Sequence, residues 1–200
     1  MARYILSLSG RKDLTVKQPL RGSQALSGDK GAYYLHASYT DKGAKGAKPL
    51  TATQTLVLRH PRVQAEDCDL IKGGLTYDVK AGQVPGIDQD LSIVVGIKDS
   101  YIAYKGLDLS GIALVEAQVG LVTNVTGGGS VEIRLDRPDG ELIGSIDASQ
   151  KMIEAGFGLK SSALKPVSGT HDLYFVFTGK DTQKPVCVLD WIWFKKGSGI

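Results

Sequence analysis

The stretch SVEIRLDRPDGELIGSID, residues 130–147, decides the fold. Val131, Ile133 and Leu135 alternate with Glu132, Arg134 and Asp136, the two-residue period of a strand with one apolar and one polar face. PDG then supplies a turn, and ELIGSID returns as a second strand, so the segment reads as a β-hairpin. The same grammar extends outward in both directions. HDLYFVFTG (171–179) sets Leu173, Phe175 and Phe177 against Asp172, Tyr174 and Thr178. SIVVGI (92–97), YIAYKGLDL (101–109), IALVEAQVGL (112–121) and VCVLDWIWF (186–194) are further apolar, β-branched runs. The turns KAGQVPG, TGGG and TGKDTQKP punctuate them. Short strands at this spacing predict a sandwich or barrel. The one helix candidate in this part is ASQKMIEAG (148–156).

Before Val63 the pattern loosens. AYYLHASYT (32–40) and TATQTLVLRH (51–60) predict two strands joined by the Gly- and Lys-rich connection DKGAKGAKPL. Residues 11–30 read as loop. RYILSL (3–8), closed by Ser9-Gly10, reads as one helical turn, too short to bury itself. A boundary falls near His60-Pro61, dividing a 1–60 extension from a 61–197 β-sandwich.

Composition narrows the function. The 200 residues carry 24 Lys and Arg against 21 Asp and Glu, a net charge of +3, and the basic residues are interspersed with acidic ones. No tract is dense enough in basic residues to favour nucleic acid. No run reaches the roughly 18 apolar residues of a membrane span, and MARYILSLSG lacks the form of a signal peptide, as expected of a fragment of a longer chain. GxSxG, HExxH, P-loop and CxxCH patterns are absent, which argues against the corresponding hydrolase, metalloprotease, nucleotide and haem chemistries. The three histidines, His36, His60 and His171, stand apart. No two carboxylates are singled out as a glycosidase pair.

One carboxylate does stand out. By strand parity Asp190 shares a face with Val188, Ile192 and Phe194, where a lone charge is costly. It needs a cation, a donor network or a bend in the strand. By the same parity Gln64, Glu66 and Cys68 share a face in VQAEDC. Two side-chain oxygens two residues apart, with a third from another strand, suit a calcium site; a hydrogen-bonded Asp near a sheet edge is the alternative.

VQAEDCD (63–69), GGGSVEIRLDRPDGELIGSI (127–146), SGTHDLYFVFTG (168–179) and VLDWIWF (188–194) resemble, in order and spacing, strands of family 6 carbohydrate-binding modules. The resemblance spans about 61–196. It implies an all-β fold, a jelly-roll β-sandwich with an N-terminal β-rich extension here, that binds polysaccharide without catalysis. It implies a structural calcium held by Gln64, Glu66 and Asp190. It places Phe157 where the family has a sugar-stacking Trp. The clamp's Tyr position falls near Val95 to Ile97 and its Asn position near Val188, so two of three expected elements are missing. Tyr101 and Tyr104 are candidate substitutes, with core or sheet-surface roles as the alternative. Either the sugar sits elsewhere, as on a sheet face, or the sandwich serves as a structural or protein-interaction domain.

RYILSL also resembles the tail of a cytochrome c-type helix, and 33–67 resembles the linker of secreted bacterial multidomain proteins. The implied setting is secreted, periplasmic or cell-surface, with upstream domains of a redox or sugar-oxidising parent enzyme and no haem in this piece. If Glu66 and Asp190 share a metal, Cys68 and Cys187 are neighbours, and an oxidising compartment would permit a disulfide.

Overall fold

A computed structural model describes residues 13–17, 32–83, 88–122, 124–149 and 156–197. The RYILSL turn, most of 11–30 and most of the 148–156 helix candidate lie outside them. The chain divides into two compact units, one ending at His60 and one starting at Pro61.

The first unit contains a three-stranded antiparallel sheet of β1 (Asp13–Lys17), β2 (Ala32–Thr40) and β3 (Thr51–Arg59), in that order. β2 and β3 pair along their whole length, from Ala32↔Arg59 to Thr40↔Thr51. At the connection, the Asp41 carboxylate accepts from the amides of Gly43 (2.8 Å) and Leu50 (2.9 Å). This is the side-chain-to-backbone bonding that favours Asp at turns.

The second unit is a sandwich of two antiparallel sheets. Its strands are β4 (Arg62–Gln64), β5 (Leu70–Lys72), β6 (Leu75–Val79), β7 (Leu91–Gly96), β8 (Tyr101–Asp108), β9 (Ile112–Leu121), β10 (Gly129–Leu135), β11 (Leu142–Ala148), β12 (Gly156–Ala163), β13 (Thr170–Thr178) and β14 (Cys187–Lys196). One sheet runs β11-β10-β13-β8-β5; the other runs β12-β9-β14-β7-β6, with β4 added along β14. Nearly every strand pairs with strands distant in sequence, the connectivity of the expected jelly roll.

Alternation builds the core. Val131, Ile133, Leu173, Phe175, Phe177, Ile102 and Tyr104 from the first sheet meet Val115, Ala117, Val119, Leu189 and Ile192 from the second. The Tyr104 ring stands edge-on to Phe175 and Phe194, with centroids 6.1 and 6.4 Å apart, the geometry aromatic quadrupoles prefer. Gly96 is required by packing: a Cβ there would lie 2.0 Å from Phe177 Cδ1.

Two parity expectations are corrected. β14 is irregular between Leu189 and Ile192. Leu189, Ile192 and Phe194 enter the core, whereas Val188 belongs to a separate cluster with Val79 and Ile93. Asp190 therefore sits at a bend and does not share one face with Val188, Ile192 and Phe194. Likewise β4 ends at Gln64, and the Asp67 amide turns back to the Gln64 carbonyl at 3.2 Å. Gln64 is exposed while Cys68 is buried in the core, so they do not share a face. Cys68 and Cys187 are both buried and are not joined by a disulfide.

Candidate functional site

The bend in β14 organises the first candidate region. Before it, Cys187–Leu189 pair with β7; after it, Trp191–Trp193 pair with β4 on the same edge. At the switch the Ala65 amide donates to the Asp190 carbonyl (2.8 Å). This brings the residues after β4 against the middle of β14. Glu66 is half-buried here, and its Oε2 is buried with no hydrogen-bond partner among the described residues. Burial pushes its carboxyl up to about 7, with smaller contributions from the like charges of Asp67, Asp190 and Asp78. Burial also raises Asp190, opposed by the Arg62 guanidinium. Arg62 lies over the Trp191 ring, 4.2 Å from its centroid. Oxygen donors crowd together here with one oxygen unsatisfied, an arrangement a hard cation relieves. Among the described residues no three His, Cys, Asp or Glu side chains close into a ready metal-ligand set.

The second region is the outer face of the five-stranded sheet. Strand register lays its residues out in rows. One row reads Lys72, Tyr101, Val176, Glu132, Ser145; the next reads Leu70, Ala103, Tyr174, Arg134, Leu142. Tyr101 and Tyr174 meet edge to face with centroids 5.4 Å apart, over a floor of Ala103 and Val176. Beside them Arg134 donates to Glu132 and to the Gly140 carbonyl (2.8 and 2.7 Å). The partly exposed Tyr101 ring, backed by the buried Tyr174 and flanked by a guanidinium–carboxylate pair, can offer an apolar face and directional polar partners together. A row further on, Ser130, Thr178 and Lys180 line an open cleft of about 420 Å³ with glycines from two loops.

The other sequence-predicted residues fall differently. Tyr104 has no exposed surface, and its hydroxyl donates to the Gln64 carbonyl at 2.7 Å. It is a core residue, so its ring cannot meet a sugar. Phe157, the second residue of β12, is half-buried and packs against the cluster of Val79, Ile93 and Val188. A Cβ on Gly120 would touch both Phe157 and Val188, which shows how closely the ring lies on the sheet. Of Val95 to Ile97, near which the resemblance puts the clamp's Tyr, Ile97 is 43% exposed. Tyr174 was missed by the sequence reading, although its alternation with Phe175 and Phe177 placed it outward.

The family model for carbohydrate-binding module family 6 matches residues 64–196. The chain belongs to that family. It is accordingly a non-catalytic carbohydrate-binding module over those residues. Among solved structures it is similar to a family 6 module from Clostridium cellulolyticum in complex with xylose (25% identity, TM-score 0.54, 68% of this chain and 96% of that one). A β-1,3-glucan binding family 6 module from Bacillus halodurans matches with 22% identity and TM-score 0.55, over 67% of this chain and 94% of that one. A glycoside hydrolase family 43 arabinoxylan arabinofuranohydrolase from Bacillus subtilis matches 94% of this chain and 41% of its own (20% identity, TM-score 0.56). These likenesses carry the jelly-roll fold. No curated protein matches the sequence.

Proposed function

We propose that this family 6 module docks polysaccharide on the outer face of its five-stranded sheet, with Tyr101 as the stacking residue. The observation that carries this reading is the Tyr101–Tyr174 pair beside Arg134 and Glu132. A pyranose presents an apolar C–H face to a ring, and its hydroxyls need directional partners close by. Neither Val95 to Ile97 nor Val188, near which the resemblance puts the clamp's Tyr and Asn, supplies a ring or a side-chain amide. Phe157 is the second reading, favoured by its partial exposure and its match to the family's Trp position.

Calcium is the proposed structural ion. Gln64, Glu66 and Asp190 would hold it, with an orphaned Glu66 oxygen as the supporting observation. It would neutralise the crowded carboxylates and tie β4 to β14. The residues up to His60 are proposed as an extension joining the module to upstream domains. The module would then keep a secreted redox or sugar-oxidising parent near glycan. No helix among the described residues is long and apolar enough to cross a membrane.

A pull-down screen on insoluble plant, algal and microbial polysaccharides, run with calcium and with chelator, tests this reading. Retention on one polysaccharide class supports it. Failure to bind any of them sinks it in favour of a structural or interaction role.

A further inference from the structure

We infer that the cleft at the loop end of the tyrosine face is a second subsite, one that takes a sugar ring by accepting hydrogen bonds from its hydroxyl groups. This rests on the tyrosine-face reading and extends it along β13.

Tyr174, Val176 and Thr178 alternate outward on β13 while Leu173, Phe175 and Phe177 fill the core. Thr178 lies four residues from Tyr174, about 13 Å along the strand. Ser130 stands opposite Thr178, and Asp147 opposite Ser130, forming the row beyond Tyr101 and Val176. A chain lying on the tyrosines and following β13 therefore arrives in the cleft. Glycines let the two loops that bound it approach: a Cβ on Gly129, whose φ is +153°, would lie 2.1 Å from the Thr178 carbonyl oxygen.

The hydrogen inventory sets the ligand's chemistry. Thr178 Oγ1 donates to the Ser130 carbonyl (3.2 Å). The Ser130 and Thr178 hydroxyls are 2.7 Å apart and either could donate; with the Thr178 hydrogen on the carbonyl, Ser130 donates to Thr178. Ser149 Oγ donates to Asp147 Oδ2 (3.2 Å), and its amide donates to Asp147 Oδ1 (2.8 Å). In that arrangement all three hydroxyl hydrogens are committed within the protein, and the oxygens that line the cleft are left with lone pairs to accept. Among the described residues that line it, Lys180 is the charged one. A ligand must bring O–H donors of its own, with an oxygen for the Lys180 ammonium. An O-methyl ether offers no such donor.

Titration of the ¹⁵N-labelled full chain with xylohexaose, cellohexaose and laminarihexaose, followed by amide chemical shifts, tests the inference. For the hexaose that binds, the amides of Gly128, Gly129 and Gly179 are expected to move on the same curve as those of Ala103 and Val176. In Thr178→Val, which keeps the side-chain shape, affinity is expected to fall about tenfold, with the Ala103 and Val176 shifts retained. The per-O-methylated hexaose is expected to leave the glycine amides unmoved. Shifts at Ala103 and Val176 with silent glycine amides would overturn the cleft and leave the tyrosine face standing. Shifts confined to residues around Phe157, or none with any hexaose, would overturn both.

Discussion

The Tyr104 hydroxyl donates to the Gln64 carbonyl at 2.7 Å from a ring that has no exposed surface. The bond ties the middle of β8 to the end of β4, just where the chain turns toward Glu66. Tyr104→Phe deletes only the hydroxyl and removes one of the two donors to the Gln64 carbonyl, the Asp67 amide remaining, a loss of about 1 kcal/mol. Chemical denaturation should show that loss, with the midpoint moving and the slope unchanged. Polysaccharide affinity at saturating calcium should stay within twofold, because the ring faces the core.

Gly96 and Phe177 make a second test of packing. Phe177 is fully buried, and its ring occupies the space a Gly96 side chain would need. Gly96→Ala should cost about 3 kcal/mol by overpacking, read as a fall in melting temperature. Gly82→Ala is the contrast: its Cβ would meet nothing within 4 Å, but its φ is +75°. That variant should lose only the backbone cost of about 1–2 kcal/mol.

Glu66 gives the module a pH signature. Its folded carboxyl titrates near 7 because burial disfavours the charge. A raised acid binds its proton more tightly in the folded state, so stability falls as pH rises from the ordinary carboxylate range, near 4.5, toward 7. In chelator, this group should therefore make the protein less stable at pH 8 than at pH 5. Calcium favours the ionised form and should raise the melting temperature most at pH 8. Glu66→Gln should flatten the dependence in chelator and weaken the calcium response. A calcium-independent melting temperature for the unmodified protein at pH 8 would remove the ion from the account.

The jelly roll was legible because two of its central strands alternate in sequence. β10 and β13 display period two over six or more residues, and the PDG turn marks the hairpin that follows β10. The short or polar strands were less visible. LIK in β5 and GFGLKSSA in β12 carry too few apolar residues to show a face, and they become strands by pairing with β8 and β9. Parity failed where the backbone departs from regularity. The bend after Leu189 and the turn after Gln64 each reset which side a residue faces, which misplaced Asp190, Val188 and Cys68. Tyr101 and Tyr104 are three residues apart, so one faces outward and the other inward; sequence alone left their roles open. The tyrosine platform required strand order, since Tyr101 and Tyr174 lie 73 positions apart in the chain and meet only through the β8–β13 pairing.

The most direct test of the central claim compares Tyr101→Ala with Phe157→Ala in affinity for whichever polysaccharide the unmodified module retains, with folding checked by circular dichroism. The tyrosine-face account predicts that Tyr101→Ala loses affinity by tenfold or more, while Phe157→Ala lowers stability and binds within about threefold of the parent. A folded Phe157→Ala variant that no longer binds, beside a Tyr101→Ala variant that binds normally, would contradict it and return the sugar to the loop-end position.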